Sequence, residues 1–306
     1  MKRIAIAGLI IPMVVVWCGC IRDSLPACPP LKITLTVKDK NYFNIDDAVK
    51  LGYLERKAED LPFRDYVGTL YYVVHDADGE VVAEQKNFEV NNEEQTQVIT
   101  LPVSLPYGKY TVTVWGNMRS ETPLGEDATT AEMEEVGAAA NDIYLASATF
   151  DYQYGNEEHS LAMERTKGNL LIKAEGIPDN IDFSTKDIED IFGLVDNGFN
   201  YSRLTDIHTE LDWMVHNDIM SQSLMCPSPS YEGSTLSVMF IDKSAVQTQQ
   251  GRAATLAPTL EPQDVHITMG RNEITILKYV YTADKTFDVF VRVNDNWEDI
   301  HGMEVE

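Results

Sequence analysis

Histidine and carboxylate side chains that could hold a metal ion occur at two places in the chain. His208, Asp212 and His216 are spaced by four residues, so on a helix their side chains would share one face. The neighbouring residues supply no further ligand at a matching spacing, which favours an ordinary solvated segment. Asp76-Ala77-Asp78-Gly79 is similar to the start of a calcium loop, but its glycine is fourth instead of sixth. An Asp-Gly pair between apolar runs predicts a hairpin turn instead. We therefore predict no metal site.

Motifs of the common enzyme classes do not occur in the sequence. There is no G-x-S-x-G elbow, no G-x-G-x-x-G, no P-loop and no H-E-x-x-H. We therefore predict that the protein has no catalytic residues, binds no cofactor and is not an enzyme. The 14 tyrosines raise the question of a glycan-stacking surface. In β-sandwiches, however, most aromatic side chains fill the core or form cross-strand pairs.

Length and charge exclude several classes of partner. The chain has 306 residues, with 24 Lys and Arg against 49 Asp and Glu, and a net charge of -25. A surface this acidic is repelled by phosphate backbones, and no basic cluster offers a local exception, so we predict no nucleic-acid partner. Attraction of a basic patch to anionic membranes is excluded for the same reason. The length and a hydrophobic content of 44% predict two packed domains.

The N-terminal residues have the pattern of an export signal. Met1-Lys2-Arg3 is positively charged, and residues 4–17 are uncharged and contain Pro12. This stretch is too short to cross a bilayer core of about 30 Å comfortably as a helix. We therefore interpret it as an export signal and not as a membrane span.

The residues that follow the apolar stretch resemble the lipobox of bacterial lipoproteins. The stretch ends in Val15-Val16-Trp17-Cys18-Gly19-Cys20, and Trp17 stands where that family prefers leucine. The resemblance implies that residues 1–19 are a signal peptide, cleaved between Gly19 and Cys20. Cys20 would carry the lipid, and residues 20–30 would form a proline-rich tether. Two or three acyl chains would hold the protein in a membrane essentially permanently. The alternative is a plain secretory signal with two incidental cysteines.

Two further cysteines would remain in the processed protein. Cys28 lies in the tether and Cys226 in the second half of the chain. Export permits a disulfide between them, and two unpaired thiols are equally compatible with the sequence. With only two cysteines left, we expect no structural zinc cluster.

Strict alternation of apolar and polar residues dominates the sequence after residue 30 and is typical of half-buried strands. Strands are predicted at residues 31–38, 67–74, 81–83, 96–101, 110–115 and 146–150, and then at 170–174, 235–241, 265–269, 273–281 and 286–293. This pattern predicts two antiparallel β-sandwich domains in series, at residues 31–157 and 158–306, joined near residues 154–159.

Three other segments lack this alternation. Residues 117–142 carry many acidic side chains and one base, Arg119, which predicts a surface excursion with a helical turn near residues 131–135. Residues 187–194 are the best helix candidate. Residues 243–263 are polar and predict a long loop.

Several ordered motifs resemble the FimB-type fimbrial anchor family of Bacteroides-like bacteria. That family places a second cysteine eight residues after the lipidated one, as in C-I-R-D-S-L-P-A-C-P-P-L from Cys20. L-Y-Y-V-V-H-D-A-D-G-E-V-V from Leu70 is similar to its strand and hairpin. L-P-Y-G-K-Y-T-V-T-V-W-G-N, L-A-M-E-R-T-K-G-N-L-L-I-K and R-N-E-I-T-I-L match further motifs in the same order. The resemblance covers most of residues 20–293.

The resemblance implies two transthyretin-like β-sandwich domains without enzyme activity. It implies a lipid-anchored, surface-exposed protein of the cell outer membrane that holds the base of a fimbria, limits its length and serves cell adhesion. Its partners would be fimbrillin or other fimbrial subunits, together with the outer membrane through the lipid. Related subunits polymerise by strand exchange, in which a neighbour's terminal strand fills a groove left by a removed first strand.

An anchor of this kind must keep its first strand, because that strand connects the lipid to the body. We therefore predict no processing at residues 55–58 or at Arg64, the basic sites that follow it. The candidate donor strand is the C-terminal tail, whose apolar residues are Trp297, Ile300, Met303 and Val305. Their spacing matches alternation poorly, so a frayed end is an equal alternative. The alternative function is a surface lipoprotein that binds glycan or protein through the same fold.

Overall fold

The computed structural model describes residues 29–101, 105–213, 219–229, 233–243, 260–293 and 296–300, and in these ranges the protein is nearly all β. The first half contains β1 (Lys32–Val37), α1 (Ile45–Lys50), a 3-10 turn (Phe63–Asp65), β2 (Thr69–His75), β3 (Val81–Glu89), β4 (Gln97–Thr100), β5 (Gly108–Gly116), β6 (Thr130–Glu132), β7 (Tyr144–Tyr152) and β8 (Glu158–Arg165). The second half contains β9 (Gly168–Glu175), β10 (Phe183–Asp196), β11 (Tyr201–Asp212), β12 (Ile219–Met225), β13 (Ser234–Ile241), β14 (Val265–Ile267), β15 (Ile274–Tyr281), β16 (Phe287–Val293) and β17 (Asn296–Asp299). Across those ranges, no helix has the length and apolar character needed to cross a membrane.

The strands of the first half follow one hydrogen-bonded path in the order β3-β2-β5-β7-β8-β1-β4. β7 and β8 are joined only at Tyr144 with Arg165 and Leu145 with Glu164. The path therefore divides into two layers, β3-β2-β5-β7 and β8-β1-β4. Alternate side chains from both layers share one buried core, which includes Leu31, Ile33, Leu35, Leu70, Val112, Val114, Tyr144 and Met163. This is the arrangement of a β-sandwich.

The strands of the second half form two sheets. Each sheet has five strands, because β6 from the first half joins one of them. One has the order β11-β10-β13-β14, with β6 also pairing with β10, and the other has the order β12-β9-β15-β16-β17. Their shared core includes Leu170, Ile172, Ile188, Ile191, Leu236, Phe240, Leu277, Tyr279 and Val289. The second half is therefore also a β-sandwich.

The same pairing scheme occurs twice along the chain. β1 lies between antiparallel β4 and parallel β8, and β9 lies between antiparallel β12 and parallel β15. The order β3-β2-β5-β7 corresponds to β11-β10-β13-β14. The predicted β-sandwich class is confirmed, although the two parallel pairs depart from the purely antiparallel expectation. The division at residues 157 and 158 stays a prediction, and the pairing of β8 with β1 assigns that strand to the first sheet.

The predicted helix at residues 187–194 is wrong, because these residues lie inside the long strand β10. The register between β10 and β11 shifts between Ile188 and Ile191, and Asp190 has a φ of 60°. This bulge inserts an extra residue into the strand, so two buried isoleucines stand three positions apart. A spacing of three is also the spacing of one helix face, which explains the error.

The prediction that residues 117–142 form a surface excursion is also wrong. Met118, Ala128, Ala131, Met133 and Ala138 are buried against the outer face of β2, β5 and β7. In place of the predicted turn near residues 131–135, β6 pairs with β10 through Thr130–Glu132. The acidic residues lie between small and apolar ones that supply the buried contacts. Of the loop predicted at residues 243–263, positions 244–259 lie outside the described residues.

Helix α1 comes from the first half of the chain but packs on the second. Ile45 and Ala48 contact Leu171, Ile274 and Ile276 on the outer face of β9 and β15. Just before the helix, the Asn44 side chain donates to the carbonyl of Ile274 at 2.8 Å and accepts from its N–H at 2.9 Å. The amide thus bonds to Ile274 as a neighbouring strand would, and it holds the two halves together.

Candidate functional site

The candidate site is β1, the strand that follows the predicted lipid tether. Leu31, Ile33, Leu35 and Val37 are all buried in the first core. Burying one such aliphatic side chain contributes about 1.5–3 kcal/mol. Four of them make β1 an integral part of the sandwich.

Backbone hydrogen bonds hold β1 on both of its edges. It pairs with β8 in parallel from Lys32 opposite Glu158 to Val37 opposite Met163, and with β4 from Lys32 opposite Thr100 to Leu35 opposite Gln97. At its start, the N–H of Lys32 donates to the carbonyl of Glu157 at 2.8 Å. Because both edges are occupied, β1 leaves no open groove at its position.

The N-terminal end of the strand is fixed by an aromatic side chain. The Tyr152 hydroxyl donates to the carbonyl of Pro29 at 2.6 Å, and the Tyr152 ring contacts Tyr107 edge-on at 5.0 Å. This contact therefore fixes the chain at Pro29, the first of the described residues. Gly19, Cys20 and Cys28 lie outside the described residues, so the cleavage, the lipidation and the disulfide stay predictions.

The C-terminal end of β1 leads into a buried polar junction. The Asp39 carboxylate accepts from the backbone N–H of Arg165 at 2.8 Å, and the Tyr144 hydroxyl donates to the Asp39 carbonyl at 3.0 Å. Burial raises the pKa of Asp39 above its ordinary value. Lys38 pairs with Glu164 at 3.1 Å. The end of β1 is thus tied to the last residues of β8.

Arg165 is the centre of this junction. Its side chain is 3% exposed and pairs with Asp142 at 2.8 Å. The guanidinium also donates to the Asn272 side chain at 3.1 Å and lies over the rings of Tyr42 and Tyr144. A buried arginine requires such partners, because an unpaired buried charge is strongly destabilising. In the sequence, only the place of Arg165 in the family-like motif L-A-M-E-R-T-K-G-N marks this residue, and nothing local to it indicates these partners.

Two lysines are also buried, and neither was predicted. Lys167 donates to the carbonyls of Met133, Ala138 and Ala139, which fixes the segment between β6 and β7. Lys186 on β10 contacts the Ser223 hydroxyl on β12 and so bridges the two sheets of the second sandwich. Burial lowers the pKa of each lysine to about 8.

Cys226 has the properties of an inert structural thiol. It is buried beside Met133 and Val195, and within the described part of the chain it forms no disulfide. Burial raises the pKa of its thiol to about 12, so almost none of the reactive thiolate is present at neutral pH.

The described residues that the sequence offers as metal ligands lie on strand β11 and in the turn between β2 and β3. His208 lies on β11 and contacts Asp187 and Glu210, a hydrogen-bonding arrangement that raises the pKa of His208. Asp212 pairs with Lys243, and His216 lies outside the described residues. Asp76 accepts the N–H groups of Asp78 and Glu80 in a turn where Gly79 has a φ of 86°. In the ranges given above, no three metal-ligating side chains cluster closely enough to hold an ion.

The candidate donor tail is partly paired within the chain. Residues 296–299 form β17 beside β16, and the ammonium of Lys278 lies 4.6 Å from the centre of the Trp297 ring. The N–H of Ile300 donates to the carbonyl of Val289 at 2.8 Å. Met303 and Val305 lie outside the described residues. The structure therefore places Trp297 and Ile300 at the edge of the second sandwich.

Several solved structures share the fold at low sequence identity. A candidate adhesin from Bacteroides thetaiotaomicron has a TM-score of 0.57 at 12% identity, covering 90% of this chain and 99% of its own. A candidate adhesin from Bacteroides ovatus has a TM-score of 0.55 at 14% identity, covering 93% and 98%. The fimbrial anchor protein Mfa2 from Porphyromonas gingivalis has a TM-score of 0.52 at 14% identity, covering 89% and 99%. At this identity the likeness establishes the fold. No curated protein sequence matches the chain.

One protein family matches the part of the chain that contains β1. Residues 25–163 match the family described as "Fimbrillin-A associated anchor proteins Mfa1 and Mfa2". This range includes β1 and most of β8, the two strands whose parallel pairing forms the candidate site. The resemblance predicted from the sequence motifs is therefore confirmed: over residues 25–163 the chain is similar to the fimbrillin-associated anchor family.

Proposed function

We propose that this protein is a non-enzymatic outer-membrane lipoprotein that anchors a surface fimbria and ends it. The observation that supports this most directly is the position of β1. The strand follows the predicted tether and is buried between β4 and β8. A pull on the fimbria would therefore pass from the folded body through β1 to the lipid at Cys20.

The retained strand also explains how the fibre would end. In strand exchange, a subunit accepts its neighbour through the groove left when its own first strand is removed. Here that groove is filled by Leu31, Ile33, Leu35 and Val37 of the same chain. Cleavage after β1 would separate the body from the lipid, so an anchor can accept no neighbour at this position. The subunit would then contact fimbrillin in another way.

The basic residues at which such cleavage would occur form ion pairs or hydrogen bonds with other parts of the chain. Arg56 pairs with Asp46 at 2.6 Å, and Arg64 pairs with Glu93 at 2.6 Å. Lys57 donates to the carbonyl of Asp65 at 2.8 Å. These contacts hold the segment against the body, which supports retention of the uncut chain.

Donation of the C-terminal tail would be the remaining route for strand exchange. Because Trp297 and Ile300 contact the second sandwich, β17 would first have to leave β16. The backbone hydrogen bonds that β17 gives up would be replaced by bonds to the neighbour. Deleting residues 294–306 should shed fimbriae into the medium if the tail is the donor, while the lipoprotein stays on the cell.

The anchoring function is tested by removing the lipid attachment in a fimbriated strain. Cys20→Ala should abolish incorporation of radiolabelled palmitate and release fimbriae into the medium. Cys28→Ala is the matched control and should keep both the label and cell-bound fimbriae. Equal labelling and equal retention in the Cys20→Ala strain would contradict the proposal. Recovery of glycan without any fimbrial subunit in pull-downs would favour the alternative glycan-binding function.

A further inference from the structure

A cavity of about 530 Å³ lies at the open side of the second sandwich. Residues 222–226 form one wall along β12, and residues 207–209 form the opposite wall along β11. Met133, Glu134, Ala139, Ala140 and Lys167 close it from the side of the first sandwich. The volume lies within the range of about 300–1,000 Å³ that is typical of ligand pockets.

The wall residues show that this cavity follows the edge of a strand. Side chains of a strand alternate between two faces, so a pocket on one face would contact every second residue. Here Gln222, Ser223, Leu224 and Met225 all line the cavity in succession. Among the described strands, β12 pairs only with β9, and its other edge is open. The cavity therefore lies against unpaired backbone groups, which can accept an added strand.

The interior of the cavity suits an apolar side chain. Its lining includes the apolar side chains of Met133, Phe192, Ile207, Leu224 and Met225. Packed sheets lie about 10 Å apart, a distance that admits side chains but not another backbone. Methionine adapts its shape to different apolar partners. A strand on the β12 edge would therefore insert a side chain between the sheets.

The charge of the cavity favours a basic neighbour beside that apolar residue. One oxygen of Glu134 bonds to Arg203, whereas its Oε2 is buried and has no hydrogen-bond partner within the described residues. The Lys167 ammonium is already directed to three backbone carbonyls. Glu132, Asp187, Asp206 and Glu210 lie on the strands around the opening. The basic groups there are Arg203, His208 and Lys186, which contacts Ser223 of the lining. Acidic groups predominate, so the occupant should supply a positively charged donor.

We infer that this edge binds an extended segment of a partner polypeptide. The segment pairs with the backbone of β12, inserts an apolar side chain between Ile207 and Met225, and directs a lysine or arginine to Glu134. The identity of the partner as a fimbrial subunit rests on the proposed function. The binding mode rests on the cavity, the open edge and the acidic groups around the opening, Glu134 among them.

The test uses a phage library of randomised extended peptides selected on the full chain. Ala139 is exposed and lines the opening, so Ala139→Trp should fill the cavity without disturbing the core. Val136 is 87% exposed and lies outside the lining, so Val136→Trp is the matched control. Peptides enriched on the wild type and on Val136→Trp should combine an apolar residue with an adjacent basic one. Their affinity should fall at least about tenfold on Ala139→Trp at an unchanged melting temperature.

A second variant tests the role of charge. Glu134→Gln keeps the size of the side chain and removes its negative charge, so the selected peptides should bind about tenfold more weakly and their binding should depend less on salt concentration. Peptides that bind Ala139→Trp as tightly as the wild type would overturn the inference, as would the absence of enrichment on the wild type.

Fimbria recovery separates this inference from the proposed function. If the inference is correct, less fimbrial subunit should be recovered with Ala139→Trp than with Val136→Trp. Equal recovery would refute the cavity as the docking site and leave anchoring intact. If even the wild type recovers no subunit, the proposed function fails, and the peptide selection alone decides whether the edge binds a strand.

Discussion

The backbone N–H of Arg165 donates to the carboxylate of Asp39 at 2.8 Å, although the two residues are 126 positions apart. Asp39 follows β1, and Arg165 ends β8 at the entry to the second sandwich. This contact connects the strand nearest the predicted lipid to the point where the two sandwiches meet. The geometry of the junction therefore bears directly on the proposed anchoring function.

Substitutions of Asp39 should separate its hydrogen-bonding role from its charge. Asp39→Ala leaves the buried N–H of Arg165 without its acceptor, which should cost about 1–3 kcal/mol of unfolding free energy. Asp39→Asn retains an acceptor oxygen and should cost less. Urea denaturation of both variants measures the difference. Equal losses would indicate that the negative charge, and not the hydrogen bond, is required.

The ion pair between Arg165 and Asp142 should behave as a coupled unit. Asp142→Asn leaves the Arg165 charge buried with weaker partners, and Arg165→Met leaves Asp142 without its cation. Each change should cost about 3 kcal/mol. The double variant should lose less than the sum of the two, by at least about 1 kcal/mol. Strictly additive losses in urea denaturation would contradict a direct interaction.

Lys186 should give the protein a pH-dependent stability in the alkaline range. Burial lowers its pKa from 10.5 to about 8, so between these values the unfolded chain binds more protons at this position than the folded chain. Stability contributed by this group therefore rises as the pH increases from about 8 towards 10.5. Lys186→Met should remove this rise and stabilise the protein at pH 7, by up to about 3 kcal/mol.

The control for this effect is Lys109→Met, because Lys109 is exposed. Its unfolding free energy should follow that of the wild type from pH 7 to pH 9.5. A Lys186→Met profile parallel to the wild type over the same range would show that Lys186 does not titrate as its burial requires.

Hydrogen exchange should show which sandwich contains β8. Because β8 pairs with β1, its amides should lose protection together with those of β1 when the first core is weakened. Leu35→Ala should weaken that core by about 2–5 kcal/mol. Faster exchange confined to the first sandwich, β8 included, would place the division after Arg165. Equal acceleration in β9 and β15 would show that the two sandwiches unfold as one unit.

The sequence predicted the strands that alternate cleanly between a buried and an exposed face. β1 and β13 have this pattern, and each lies at its predicted position. β10 was misread because its bulge imitates helical spacing, and β11 was missed because most of its side chains are exposed. As an edge strand of the second sandwich, β11 lacks the apolar face that period-two analysis requires.

The candidate site could be predicted only in part, because some of its contacts join residues that are far apart in the sequence. The alternation of β1 and its place after the predicted tether are both visible in the sequence. The partners of Arg165, by contrast, come from Asp39, Asp142 and Asn272, which are widely separated in sequence. No local pattern shows that these residues meet. Only the matched family motif containing Arg165 marked this position in advance.

The most direct test of the anchoring account is the N-terminus of the protein on fimbriated cells. Mass spectrometry of the extracted protein should find an acylated Cys20 and a continuous chain through residues 31–64, without cleavage at residues 55–58 or Arg64. This result would show that β1 stays with the lipid and fills its own groove. A mature chain that begins after residue 55 on cells with attached fimbriae would contradict the account.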